Sequence, residues 1–375
     1  MLDKESLKLH KKLGGKLEIK VKQHLSSKRQ LSLLYTPGVA GSVKAINQYK
    51  SMAYQLSLKK NTVAVITDAT AVLGLGKVSP EAALPVMEGK CLLFKELAGI
   101  DAFPLCLKTN NWQETMVVIR SLAPTFAAIN LEDIAAPDCF KIEENLQDLG
   151  IPVVHDDQHA TAIAVLAGLF NAVKIVGKNL KKCRLIVCGA GAAGTAVIKL
   201  LHYYGNQNLI AVDSNGIIGK HRRFPDEYKK ELAEITNPDN NRGNLAQAVR
   251  ESDILIGVSK KNLFQREMIR SMNRQAIVFA LANPDPEISR VDALKAGATV
   301  YASGSSIDRN QINNALVFPG LFRGLIDSHR KKITSQLKIK TAHAIASLIT
   351  RPTSKKFMPS VLDKKVVRRV AEAIL

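Results

Sequence analysis

Apolar and polar positions along the chain alternate between two rhythms. Short, β-branched, continuous apolar runs recur at NTVAVITDA, DAFPLCL, PTFAAINLED and IPVVHDD, and again at RLIVC, NLIAVDS, DILIGVS, AIVFALANP and TVYASG. Unbroken runs of this kind predict strands buried on both faces. Between them lie stretches with helical spacing, such as AALPVMEGKCLLFKELA and NWQETMVVIRSLA. The alternation predicts βα units and a mainly parallel sheet. Residues 4–31 are basic and helical in character, and Pro37-Gly38 supplies the φ values of a type II turn that presents Tyr35. A further helix is expected over 159–177. Its most apolar part, AIAVLAGLFNAVKIV, is interrupted by Asn171 and Lys174, which predicts a buried helix rather than a span needing ~20 apolar residues.

Length changes this picture by requiring more than one core. The chain has 375 residues, and single cores seldom exceed roughly 250 to 300. An α/β fold of two domains is expected: an α/β substrate domain over 1–155, with helices in 331–375 packing back on it, and a Rossmann-type parallel-sheet domain over 156–330. The net charge of +20 raises nucleic acid, an anionic membrane or anionic small substrates as partners. Aromatics make up only 5% of the residues, too few to supply stacking platforms, so the excess reads as a solvated basic surface and nucleic acid is not an expected partner. Five cysteines without CxxC spacing read as reduced core residues, and the charged N-terminus lacks the apolar stretch of an export signal. A cytoplasmic protein with no membrane association is expected.

Candidate chemistry begins at Gly189, Gly191 and Gly194, a GxGxxG with Ala192 and Ala193 inside it, directly after RLIVC and at the head of an apolar helix. The first glycine permits the turn, the second lets pyrophosphate approach the backbone, and the third lets helix and strand pack closely. NLIAVDS then ends in Asp213 about twenty residues on, where a carboxylate accepts hydrogen bonds from the adenosine ribose. That carboxylate also repels a 2′-phosphate, favouring NAD over NADP. The nearby Lys220, His221, Arg222 and Arg223 read as a solvated loop.

Two further strands end in adjacent carboxylates, Glu132-Asp133 and Asp156-Asp157. Neighbouring side chains diverge, so each pair can aim one oxygen at a shared ion, and an oxygen-only set suits Mg2+ or Mn2+. Asp157 also suits the N-cap of the following helix, and the acid pairs alone leave both readings open.

The strings LYTPGVA, AVLGLG, LPVMEGK, INLEDI, HDDQH, CGAGAAG, ALANPDPE and NQINN occur in the order found in the malic enzymes. The chain resembles the short bacterial and archaeal form along nearly its whole length. The resemblance implies oxidative decarboxylation of malate to pyruvate and CO2, with reduction of NAD or NADP and dependence on Mn2+ or Mg2+. It implies Tyr35, Lys90 and Asp156 as catalytic, Glu132, Asp133 and Asp157 as metal ligands, and Asn283 and Asn314, with Asn313 beside them, as substrate-binding. Ser259 and Asn283 are placed at the nicotinamide end. A homodimer is implied, with the lysine expected from the neighbouring subunit in short members. The chemistry asks for the same residue types: a lysine kept neutral by burial and nearby positive charge takes the hydroxyl proton, and Tyr35 protonates enolpyruvate at C3.

The chain departs from the family pattern at Ala69, Ala127, Ala128 and Ala160, where glycine is usual. It departs again at Lys77, Ser79, Lys260-Lys261-Asn262 and Gly304-Ser305-Ser306-Ile307. Two alternatives therefore stand beside the main reading. One is an oxaloacetate decarboxylase with weak cofactor use, and the other a non-catalytic nucleotide- or nucleic-acid-binding paralogue.

Overall fold

The computed structural model describes residues 2–72 and 74–375, and their strands form two sheets. The first contains β1 (Thr62–Thr67), β2 (Asp101–Cys106), β3 (Ala128–Leu131) and β4 (Val153–His155), all parallel, in the order β2-β1-β3-β4. The second contains β5 (Leu185–Cys188), β6 (Leu209–Asp213), β7 (Gly216–Ile217), β8 (Ile254–Gly257), β9 (Ala276–Ala280) and β10 (Ala298–Ser303). Their order is β10-β9-β8-β5-β6-β7, parallel except for the β6–β7 pair. Every residue of β1, β5, β8 and β9 is buried, as the unbroken apolar runs require. Strand β7 was not anticipated, because two residues are too few to carry a pattern.

Both sheets start in the middle and wind outward. β1 lies between β2 and β3, and β5 between β6 and β8. At such a reversal the loops leave in opposite directions, and a crevice opens at the carboxyl ends of the strands.

One continuous apolar cluster runs from Val63, Met87 and Phe94 through the helix Asp156–Val176 to Leu185 and Phe318. That helix starts at Asp156 rather than 159 and is buried along most of its length. It is long and apolar enough to cross a bilayer, yet it serves here as the central core helix. Its polar interruption has a partner: Asn171 Nδ2 donates to the carbonyls of Ala346 and Phe357, each at 3.0 Å. The helix Ser335–Ala346 packs on the central helix and on Ala192–Tyr204, while Lys364–Ile374 packs on Phe318–Asp327 and reaches Pro80–Ala98.

The N-terminal region differs from expectation. The helical character expected over 4–31 is shared by two helices, Leu2–Leu13 and Lys28–Leu34, with Gly14 and Gly15 taking φ of 66° and 122° after the first. Gly38 has φ −63° and precedes the helix Val39–Gln48, so Pro37-Gly38 is not a type II turn. Glycine is required there for space, since a Cβ would lie 2.5 Å from the Ser32 carbonyl oxygen. No described side chain before Thr62 is buried.

Ala69 and Ala160 occupy opposite backbone environments. Ala69 is fully buried with φ 61°, whereas Ala160 is helical. A left-handed conformation costs an L-residue about 1 kcal/mol, and glycine inside a helix costs about 1 kcal/mol relative to alanine. Ala69→Gly is therefore predicted to raise the urea unfolding midpoint and Ala160→Gly to lower it. Shifts of the same sign would contradict this assignment.

Candidate active site

Three elements aim polar groups at the carboxyl edge of the first sheet. The helix Pro80–Ala98 buries Ala83, Met87, Lys90, Cys91 and Phe94, so Lys90 lies on its apolar face. An ammonium placed there must find charged partners. Its Nζ donates to Glu132 Oε1 at 2.7 Å and to Asp156 Oδ2 at 2.5 Å, with Lys90 and both carboxylates buried. The Phe318 ring centroid lies 4.1 Å from the same nitrogen. Glu132, which follows β3, is steadied by buried Asn130, whose Nδ2 donates to Oε2 at 2.8 Å.

The electrostatics follow from this crowding. Burial opposes the Lys90 charge, but Asp156 and Glu132 outweigh it and hold the ammonium above the ordinary lysine value. The side chains beside Lys90 are anionic, so the positive charge that the sequence reading expected near it does not come from another described side chain. Burial pushes Asp156 up to about 7, against the pull of Lys90, and Glu132 and Asp157 are raised by the same desolvation.

One carboxylate oxygen from each of Glu132, Asp133 and Asp157 lies within 4.8 Å of the others. Asp133 N donates to Asp157 Oδ2 at 3.3 Å, and Asp133 takes a left-handed φ of 51°. Three carboxylates held this close repel one another unless a cation joins them, and an all-oxygen donor set fits Mg2+ or Mn2+. Buried Asp156 Oδ1 has no hydrogen-bond partner among the described residues. The N-cap reading of Asp157 does not hold: His155 is the N-cap, without a side-chain bond, and Asp157 lies inside the first turn.

A residue absent from the sequence reading holds this turn in place. Glu143 is buried on the helix Asp138–Asn145. Its Oε1 accepts from the His155 amide at 3.0 Å and from His159 Nε2 at 2.7 Å, and its Oε2 accepts from Gln158 Nε2 at 3.0 Å. Burial opposes its charge, but these donors keep the carboxyl below the usual range. His155, fully buried, is pushed down to about 4 by desolvation and stays neutral. Nothing in the residue spacing announced Glu143, since its partners lie in the next βα unit.

At the second sheet, Gly189 takes φ 114°, and a Cβ on it would lie 2.5 Å from the Val258 carbonyl oxygen. A Cβ on Gly194 would collide with the Gly189 carbonyl. Gly191 caps the helix Ala192–Tyr204, leaving its first amides for an anion. Asp213 ends β6 and pairs with Arg222, which is largely buried and not part of a solvated loop. Ser259 follows β8, and its amide donates to Glu287 Oε1 at 2.9 Å, while Ala282 N donates to Oε2 at 3.0 Å. Glu287, also missed from sequence, thus ties together the loops after β8 and β9.

Asn283 is exposed beside the Gly74 loop, where a Cβ on Gly74 would lie 2.7 Å from the Asn283 carbonyl oxygen. Asn313 Oδ1 caps the short turn Asn314–Leu316, accepting from Ala315 N at 2.8 Å. Lys90 meets both carboxylate partners within the chain. Tyr35 is 67% exposed. Among the described residues no hydrogen bond or ring contact joins it to Lys90 or to the carboxylates.

Glu143→Gln replaces one acceptor oxygen by a donor, in a pocket whose three polar groups all donate. It is predicted to destabilise the protein by about 1 to 3 kcal/mol, read from the urea midpoint. An unchanged midpoint would mean that the 155–159 turn is held by something else.

The chain is similar to known proteins in both of its halves. Residues 14–147 match the family described as malic enzyme, N-terminal domain, and residues 158–375 match malic enzyme, NAD binding domain. A bifunctional malic/malolactic enzyme of Bacillus subtilis is 47% identical, covering 100% of this chain and 92% of the relative. A NAD-dependent malic enzyme of Geobacillus stearothermophilus is 46% identical over 97% of this chain and 76% of the relative. The crystal structure of a NAD-dependent malic enzyme from Thermotoga maritima superposes with a TM-score of 0.95 at 42% identity, covering 98% of each chain. With two family matches covering most of the chain and relatives similar along its whole length, this protein belongs to the malic enzyme family.

Proposed function

We propose that the chain catalyses oxidative decarboxylation of malate to pyruvate and CO2, with NAD as hydride acceptor and Mn2+ or Mg2+ bound by Glu132, Asp133 and Asp157. The observation that carries this reading is the buried Lys90 ammonium between Glu132 and Asp156, set against the three clustered carboxylates. The reading divides the chain near residue 155 into a substrate unit and a dinucleotide unit. Pyrophosphate sits on Gly189 to Gly194, the nicotinamide lies near Ser259 and Asn283, and Asn313 and Asn314 line the substrate carboxylate.

Once the charges of Glu132 and Asp157 are offset by a bound cation, the Lys90 ammonium would lose the support that keeps it protonated and would release its proton along the hydrogen bond to Asp156. The freed amine then accepts the malate hydroxyl proton as hydride leaves C2. What a divalent cation supplies in this site is Lewis-acid polarisation of the C2 oxygen during loss of CO2, worth roughly several kcal/mol. Tyr35 protonates enolpyruvate at C3. The tyrosine reaches the site from a second copy of the chain, a reading supported by its exposure and by an N-terminal region with no buried side chain. Leu7, Leu31, Leu33, Leu34 and Val43 are exposed there, and a homodimer would cover such aliphatic surface. The five free cysteines suit the cytoplasm.

Glu132→Gln and Asp157→Asn are each predicted to weaken Mn2+ binding, followed by electron paramagnetic resonance, by about tenfold or more while NAD binding persists. Retained Mn2+ affinity in both variants would refute the ligand set. Mixing Lys90→Ala and Tyr35→Phe subunits, each impaired alone, should recover about a quarter of wild-type activity, because half of the randomly formed dimers carry one intact composite site. Absence of recovery would place Tyr35 in its own subunit's site.

A further inference from the structure

The second crevice contains a buried anion that the proposed reaction does not use. Glu287 follows β9 and is fully buried. Its Oε1 accepts from Ser259 N at 2.9 Å and its Oε2 from Ala282 N at 3.0 Å, so each oxygen meets a donor, as suits an ionised carboxylate. The end of β8 makes room for it: a Cβ on Gly257 would lie 2.5 Å from Glu287 Oε1. Backbone bonds close the same pocket. Phe264 N donates to the Glu287 carbonyl at 2.9 Å, Asn262 N to that of Pro286 at 3.1 Å, and Leu281 N to that of Gly257 at 3.0 Å. Val258, between Gly257 and Ser259, is the residue whose carbonyl crowds Gly189, which sets the carboxylate on the side of the dinucleotide turn.

No side-chain cation answers this charge. Lys260 and Lys261 are exposed, with Lys261 Nζ 3.5 Å from Asp285, and Arg290 pairs with Asp308 at 2.7 Å. Among the described residues no ion pair reaches Glu287, and burial pushes its carboxyl above the ordinary glutamate value against the pull of the backbone amides. Those amides supply dipoles but no net charge. Buried charges are ordinarily paired, and the cation that reaches these loops in the proposed reaction is the oxidised nicotinamide ring.

We propose that Glu287 is the counter-charge for that ring, so that the site favours NAD+ over NADH. This rests on the dinucleotide reading given above, which puts the ring near Ser259 and Asn283. Ser259 N bonds the carboxylate directly, and Asn283 follows Ala282, which bonds it too. When malate is oxidised, its C2–H bond breaks and a C–H bond forms at C4 of the ring, the electron pair moving with the hydrogen. The ring is reduced and becomes neutral, while the hydroxyl proton goes to the Lys90 amine. Attraction to Glu287 is lost with the ring charge, in a buried site where water and salt screen little. The same charge therefore opposes hydride transfer and favours release of NADH.

The test is fluorescence titration of the full-length protein with NADH, and competition against it by NAD+ and by ADP-ribose, which lacks the ring. Neither malate nor metal is added. Glu287→Gln keeps the shape and removes the charge, and should lower the ratio of NAD+ to NADH affinity by about tenfold. Glu287→Asp keeps the charge and should hold that ratio within about twofold, even where both affinities fall. A Glu287→Gln protein that binds both nucleotides equally more weakly would show loop anchoring alone and overturn the counter-charge, leaving the proposed reaction standing. A ratio lowered as far by Glu287→Asp as by Glu287→Gln would overturn it too. If Glu287→Gln fails to fold, the unmodified protein decides. Adding the ring to ADP-ribose should raise affinity more in its oxidised form than in its reduced form, and the reverse order would overturn the counter-charge. A folded, unmodified protein that binds none of the three would instead refute the dinucleotide reading itself.

Discussion

An ammonium group buried on the apolar face of a helix is the constraint around which the first half of the protein is organised. Removing such a charge from water costs several kcal/mol even after relaxation. Lys90 meets that cost with two carboxylates drawn from different βα units, Glu132 after β3 and Asp156 at the start of the central helix. The three elements must therefore register together. Phe318 closes the pocket against Lys90 and, with Phe322, packs edge-on to Phe94 one turn further along the same helix, at centroid distances of 4.8 and 5.2 Å. Loss of Lys90 would leave two buried carboxylates uncompensated, so a group that the chemistry needs also holds the fold together.

The second sheet solves a different problem, the close approach of backbone to backbone. Gly189, Gly194 and Val258 meet at the point where the strand order reverses, with no room for a Cβ at either glycine. The central helix joins this crevice to the first: it begins in the carboxylate cluster and packs along Ala192–Tyr204, the helix that starts at the dinucleotide turn. Asp133 and Ala69 are both left-handed, and their loops are joined where Ala71 N donates to the Asp133 carbonyl at 3.0 Å. Backbone conformations of this kind persist where surrounding structure over-determines them.

Strands buried on both faces announced themselves in the sequence because burial leaves an unbroken apolar run, and the glycine turn did so because its steric demands are local. Residues whose role depends on a partner distant in sequence were not legible. Glu143 looked like one more helical glutamate, and Glu287 like the end of a proline-rich loop. Arg222 looked solvated because nothing in its own tetrapeptide shows that β7 would fold it against Asp213. The family resemblance located Lys90, but its charge state depended on geometry: a lysine expected among positive charges lies among carboxylates. The N-terminal helical character is shared by two helices, with Gly14 and Gly15 after the first, and Tyr35 stands apart from the groups with which it was grouped.

As proposed, Lys90 and the carboxylates around it form one ion-binding centre, with the lysine supplied by the same chain as the ligands. An anomalous-scattering map of crystals soaked in Mn2+ tests it most directly. One strong peak per chain is expected, in contact with carboxylate oxygens of Glu132, Asp133 and Asp157, with Lys90 of the same chain still bonded to Asp156. A peak elsewhere, or a peak in this cluster with the lysine supplied by another chain, would contradict it.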